Sequence, residues 1–291
     1  MARKIKLNWD KIKSNIVERE KSKSFSKVDE RLYQPKLNDD GTFQAVIRFL
    51  WSPDTDIPFV KKFSHGFQGP GGWYIEDCPT TVGNDCPACK ANGVEWNKGT
   101  EAAQNLARQR ARRLSVYSNI LVLKDPQTPE NEGKVFVYRY GKKIHDKIME
   151  KINPGENSIE DPVMIFDPYD GANFKLIIRK VRVKGGKPQN NYDSSQFSEK
   201  TSLGDAQIEN AEKNLYKLAE FSSAEKFKSY EELEMKFNKI SGTRKEEVVQ
   251  QRPEKRQEEK VEEEDTVPAP GVDEGDDDGF FKKLQQEKSS D

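Results

Sequence analysis

The chain has 291 residues, of which 33% are hydrophobic and 10% aromatic. That is enough apolar material for a real core, and it excludes a wholly disordered protein. The net charge of -1 conceals an asymmetry: residues 246–291 hold 16 acidic and 7 basic side chains, a net of -9, which leaves +8 on the remainder. A basic body with an acidic appendage is the footprint of a polyanion binder that masks itself or recruits partners.

In chain order, residues 1–20 alternate Lys and Arg with Ile5, Leu7, Ile12, Ile16 and Val17, a pattern for a short helix that needs something to pack against. The run FQAVIRFLW from Phe43 to Trp51 reads as a strand stopped by Ser52-Pro53, because β-branched and aromatic residues suit a pleated surface and proline ends the ladder. PFVKKFSHGF is a second strand, GPGGW a turn, and WYIEDC the strand that follows. Periodicity then predicts a helix over Glu95–Leu114. VYSNILVLKD and KVFVYRYG are further strands on either side of the loop PQTPENEG. GKKIHDKIMEKI is predicted helical, with His145 partly exposed. FKLIIRKVRV is a strand, followed by a loop, KPQNNYDSSQF, that carries Tyr192 and Phe197. The segment from Ile208 to Ile240 has the spacing of peripheral helices, with Leu215, Leu218, Phe221, Phe227, Leu233 and Phe237 as its apolar positions. After Gly242 the apolar periodicity stops, and a charged, Pro- and Gly-interrupted tail is expected to stay disordered. Only Phe280, Phe281 and Leu284 break the polarity of its end.

No window approaches the 18 apolar residues of a membrane helix, and MARKIKLNWDKIK has no apolar stretch for a signal peptide. A cytosolic protein with no membrane partner is expected. All three cysteines fall between Cys78 and Cys89, too few for a disulfide framework and clustered as metal ligands are. Cys86-Pro-Ala-Cys89 has the spacing that turns two sulfurs toward one ion, with Cys78 from a strand end and His65 from the strand before it. Four protein ligands predict one structural zinc with no open position. A catalytic zinc of the nucleobase-deaminase type requires His-x-Glu and Pro-Cys-x-x-Cys; here Phe67 replaces the Glu, Asp85 replaces the Pro and Cys78 fills the fourth position. GxxxxGK[ST], HExxH and GxSxG are absent. The chain is therefore not expected to be an enzyme.

In KVFVYRYGKK, alternation puts Phe136, Tyr138 and Tyr140 on one face, with Lys142 and Lys143 just beyond. Such a face would stack bases beside positive charge, as single-strand binding without sequence preference requires; at least one of the three rings is expected in the core. Arg108, Arg110, Arg112 and Arg113 precede Tyr117, and with Tyr192 and Phe197 they extend the basic and aromatic set. The competing reading is a zinc-containing scaffold that binds proteins through its charged ends.

The motifs QAVIRFL, HGF before a Gly turn and WYIE, CPxC, NILVLKDP, PENEGKVF, YRYGKKIHDKI, DGANF, NYD and KFKSYEEL closely resemble the helix-destabilising, single-stranded DNA-binding proteins of T-even bacteriophages. The resemblance covers residues 40–240. It implies a mainly β protein, an oligonucleotide-binding (OB) barrel with a zinc subdomain at about 60–115 and peripheral helices, all within a core of residues 21–243. It implies a basic arm at 1–20 for self-association through Arg3, Lys4 and Lys6, and an acidic tail at 244–291 docking partners through Phe280, Phe281 and Leu284. The zinc ligands carry over to His65, Cys78, Cys86 and Cys89. DNA contacts carry over to Arg48, Arg112, Tyr117, Tyr138 and Tyr192. The role implied is cooperative coating of single strands during phage replication, recombination and repair in the host cytoplasm, with helicase loader, polymerase and recombinase as partners.

Overall fold

A computed structural model describes residues 29–156, 158–182 and 188–242. The arm residues Arg3, Lys4 and Lys6 and the tail residues Phe280, Phe281 and Leu284 lie outside the described residues. Among the described residues no helix is long and apolar enough to cross a membrane.

The architecture is a mainly antiparallel β-sheet with helices on its periphery. The described residues form eight strands: β1 Thr42–Phe49, β2 Val60–Gly69, β3 Gly72–Asp77, β4 Arg113–Lys124, β5 Val135–Tyr140, β6 Ala172–Val181, β7 Gln189–Asn191 and β8 Gln196–Lys200. The helices are α1 Pro87–Asn97, α2 Glu101–Arg110, α3 Lys142–Ile152, α4 Asp205–Asn214 and α5 Tyr230–Ser241.

Twelve-residue β4 is the organising strand. Along one edge it pairs first with β2, from Arg113 to Tyr117, and then with β1, from Ile120 to Lys124. Its other edge pairs with β5, from Val116 to Leu121. β1 also pairs with β6, which in turn carries β7 and β8. Alternation on β1 sends Phe43, Ala45, Ile47 and Phe49 into one core with Val116 and Ile120 of β4, Tyr138 and Tyr140 of β5, Leu176 and Ile178 of β6, and Ile144 and Ile148 of α3. α4 covers the opposite face through Ile208 and Ala211 against Leu50, Leu121 and Val135.

Three sequence expectations change here. The helix predicted over Glu95–Leu114 is two helices, α1 and α2, broken where Gly99 takes φ 69 and where the Thr100 side chain accepts from Ala103 N at 3.4 Å to start α2. Leu114 belongs to β4, where pairing with Phe63 overrides its helical spacing. The loop predicted around Tyr192 and Phe197 instead contributes β7 and β8, which pair in turn with the two ends of β6, and Phe197 packs at 4.7 Å from Phe174. His145 is buried rather than partly exposed, edge-on to Phe59 at 5.1 Å.

The last helix is peripheral, as expected, and its apolar face closes a second core. α5 buries Leu233, Phe237 and Ile240 against Phe67, Tyr74, Cys78, Cys86 and Ala88, so a C-terminal element completes a lobe otherwise built from residues 60–110. The β2–β3 turn is tight because α5 ends on it: Gly71 N donates to Ile240 O at 2.9 Å, and a Cβ on Gly71 would lie 2.1 Å from Lys239 O. Gly71→Ala is expected to cost about 1–3 kcal/mol by overpacking, read as a lower urea midpoint with an unchanged m-value.

Candidate metal centre and nucleic-acid interface

His65 comes from β2, Cys78 from the end of β3, Cys86 caps α1 and Cys89 lies in its first turn. Pro87 at the first helical position fixes the backbone so that the two α1 sulfurs face the same point. The four ligand atoms all lie within 4.8 Å of one another. His65 Nε2 is 3.5 Å from Cys86 Sγ and 3.4 Å from Cys89 Sγ, and Cys78 Sγ is 3.5 Å from Cys89 Sγ. Bonds of about 2.0–2.3 Å to a tetrahedral ion require ligand–ligand edges of roughly 3.6–3.8 Å, so the set fits one metal ion with small adjustment.

The surroundings suit a ligand cluster. His65 Nδ1 lies 2.9 Å from Arg110 O; as a carbonyl only accepts, Nδ1 carries the proton and Nε2 is left as the ligand. Burial works against an imidazolium at His65, but contact with the Cys78 and Cys86 sulfurs outweighs it, and the pKa is pushed up to about 10. Contacts with Cys86 and Cys89 pull the Cys78 thiol far down, while Cys78 and Cys86 push that of Cys89 far up. The three sulfurs and the imidazole compete for protons within one buried site, a conflict that a divalent cation binding all four relieves.

The predicted DNA-contacting residues separate into three groups. Arg113 opens β4 and Arg112 immediately precedes it, with Arg112 Cζ 4.2 Å from the Phe63 ring centroid and Arg113 exposed. Tyr117 follows on the same strand, 4.6 Å from Phe221 in a stacked pair, with Lys62 Nζ 5.9 Å from its ring. Phe221 covers the tyrosine face that the sequence left open, so Tyr117 is only 5% exposed.

A second group surrounds a cleft of about 310 Å³ where the segment Leu32–Leu37, bridged to β5 at Val137, meets β6 and β7. Tyr33, Tyr138, Arg139, Asn190 and Tyr192 are among its lining residues. Tyr33 is locked by donating its hydroxyl to buried Asp125 at 2.8 Å. Lys142 and Lys143 lie at the start of α3, paired with Asp146 at 3.1 Å and Asp193 at 2.8 Å; exposed ion pairs of this kind are weak enough for a phosphate to replace them.

The third group consists of corrections. Phe136, Tyr138 and Tyr140 do not form an exposed ladder: β5 is covered on both faces, and this set points into the main core. Tyr140 exchanges a hydrogen bond with Ser118 at 2.8 Å, and only an edge of Tyr138 reaches the cleft. Phe197 is in the same core layer. Arg48 is fully buried, its Nη2 donating to Asp167 O at 2.8 Å and Thr201 O at 2.9 Å, and its Nη1 to Asn173 Oδ1 at 3.2 Å. It fastens a loop to the sheet and does not reach solvent.

Sequence reasoning missed Tyr33, Lys62, Thr80 and Phe63. Tyr33 sits in a segment without periodicity, so nothing signalled it. Thr80 had a signal, a hydroxyl two residues after a cysteine ligand, within reach of the sulfur.

The sequence pattern of the family described as gp32 DNA binding protein like matches residues 41–241. The chain is 40% identical over 230 residues to the single-stranded DNA-binding protein of Enterobacteria phage T4, covering 76% of this chain and 74% of that one. It is 40% identical over 227 residues to the single-stranded DNA-binding protein of Enterobacteria phage T2, covering 75% and 72%.

Proposed function

The chain belongs to the gp32-like DNA-binding protein family, and from that premise we propose that it binds single-stranded DNA without base preference, as a non-enzymatic coat. The observation that carries this reading is the cleft beside β5, where tyrosine rings and Arg139 converge. Its volume of about 310 Å³ is at the small end of the roughly 300–1,000 Å³ usual for ligand sites, a size for bases and not for a duplex. Every base offers a π-face and every nucleotide a phosphate, so stacking on Tyr192 with charge from Arg112, Arg113, Lys142 and Lys143 gives affinity independent of sequence.

The metal of the His65, Cys78, Cys86 and Cys89 centre is zinc on this reading, since three thiolates and one imidazole in a closed tetrahedral set are the donors of a structural zinc. Bound there, zinc supplies a cross-link between β2, β3 and α1 and no chemistry. The sheet around β1, β4, β5 and β6 is taken as the OB barrel, with the 60–115 lobe as its zinc subdomain. Arg3, Lys4 and Lys6 serve cooperative self-association, and the tail recruits replication and recombination proteins through Phe280, Phe281 and Leu284, in the cytoplasm of an infected host.

Tyr192→Ala is expected to weaken oligothymidine binding by about 1–3 kcal/mol while leaving the slope of log affinity against log salt unchanged. Arg112→Gln is expected to flatten that slope by about 0.7. Titrations at several salt concentrations separate the two, and identical behaviour of both variants overturns the division of roles.

The -9 of residues 246–291 is tethered to a body of +8, a polyanion held at high effective concentration beside a polyanion site. Removing residues 246–291 is expected to raise DNA affinity at low salt, with the gain fading as the screening length falls to about 10 Å at 0.1 M. Unchanged affinity at low salt counts against this competition.

A further inference from the structure

The arginine immediately before β4 has a long side chain, and three short contacts set its direction. Arg112 Nη1 donates to Thr80 Oγ1 at 3.0 Å. The same Oγ1 lies 3.1 Å from Sγ of the ligand residue Cys78. The guanidinium sits over Phe63, 4.2 Å from the ring centroid.

The direction of these bonds follows from what each group has to give. A guanidinium has no acceptor, so Thr80 Oγ1 must accept from Arg112, and the single hydroxyl proton goes to the sulfur. Sulfur taking that proton acts as an acceptor, the role a metal-bound thiolate performs and a neutral thiol performs poorly. The turn that carries Thr80 is fixed to β2 from both sides: Cys78 N donates to Phe63 O at 2.9 Å, and Phe63 N donates to Thr81 Oγ1 at 2.9 Å. Phe63 thereby holds the turn with its backbone and the guanidinium with its ring.

We propose that Thr80 is a positioning residue that ties Arg112 to the metal ligand Cys78, so that the metal centre sets the geometry in which Arg112 meets a DNA phosphate. The proposal rests on the reading of Arg112 as a phosphate contact. It gives the metal lobe a part in DNA binding without any contact between the ion and DNA.

The test uses the full chain, metal-loaded, with Thr80→Val to remove the hydroxyl at nearly constant shape, Thr80→Ala as a second variant, and Thr80→Ser as rescue. Thr80→Val is expected to keep one metal per chain by native mass spectrometry and to shift the sulfur-to-metal absorption band of the cobalt-substituted protein, because Cys78 loses a hydrogen bond. It is expected to weaken oligothymidine binding about 3- to 10-fold, the worth of one ordinary hydrogen bond, and to flatten the salt slope by up to about 0.7. Thr80→Ser is expected to restore all three, and adding Thr80→Val to Arg112→Gln is expected to shift the cobalt band but to change DNA binding no further. Additive effects of the two substitutions overturn the proposal, as does an unchanged salt slope in both Thr80→Val and Thr80→Ala when Arg112→Gln lowers it. A salt slope unaffected by Arg112→Gln itself overturns the phosphate reading of Arg112 instead.

Discussion

Removing the metal from the full chain is expected to cause the largest loss of stability available to any single treatment. The lobe formed by β2, β3, α1, α2 and α5 has a small apolar core, Phe67, Tyr74, Ala88, Leu233, Phe237 and Ile240, with Cys78 and Cys86 as part of it. Without a cation, buried sulfurs must either take up protons or face one another as charges, and both cost free energy. Binding free energies of structural zinc sites run to about 10–16 kcal/mol in small peptides. Even a third of that, at about 2–4 °C per kcal/mol for a domain of this size, lowers Tm by roughly 10 °C or more. Chelation followed by calorimetry checks this, with limited proteolysis expected to cut first within residues 60–115. Acid has the same direction of effect, because ligand protonation competes with the metal. Cys86→Ser is expected to mimic chelation, and a native mass without stoichiometric metal removes the claim altogether.

Arg48→Ala is expected to be the second most damaging change, and to act on the fold and not on DNA affinity. Arg48 is the largest fully buried side chain, and its guanidinium joins the loop at Asp167 to the strand end at Thr201 and to Asn173 of β6. Truncation leaves these acceptors buried without their donor, at about 3–5 kcal/mol for breaking a buried charged network. Burial already holds the Arg48 pKa below its ordinary value, yet arginine stays charged throughout the working range. Arg48→Lys is expected to recover only part of the loss, since one ammonium cannot span three acceptors. Thermal denaturation reads the loss; the salt slope for oligothymidine, measured well below the transition, is expected to match the parent protein. A flattened slope for Arg48→Lys returns the residue to the DNA interface.

The same site shows where the sequence was legible and where it was not. Local patterns carried the strands: FQAVIRFLW, VYSNILVLKD and FKLIIRKVRV cover all but the first one to three residues of β1, β4 and β6, because their β-branched and aromatic runs satisfy a pleated, buried surface regardless of partner. The metal set was legible because ligand chemistry restricts it to few residue types at short spacing. What alternation could not supply was the wet side of a strand. Phe136, Tyr138 and Tyr140 have the spacing of a stacking face, but α4 and the Leu218–Phe221 turn, nearly 80 residues downstream, cover the opposite side of β5 and the core takes this one. DGANF was visible only as a motif. Its glycine is explained by packing: a Cβ on Gly171 would lie 2.7 Å from Arg48 Nη2 and 2.4 Å from Asp167 O. Such close approaches between distant segments leave no periodic trace.

The placement of α5 has a mechanical consequence. The helix ends at Gly242, whose φ of 75 turns the chain away beside Pro70 of the β2–β3 turn. The described chain therefore ends on the lobe of the candidate metal ligands and not on the main sheet. Tension applied to the tail by anything that holds it is borne first by the Gly71–Ile240 hydrogen bond and then by Ile240, Phe237 and Leu233 in turn, from the helix end inward. The load path enters the core around the candidate metal ligands before it reaches β4 through β2, so a metal held there would stand where a pulled chain begins to peel.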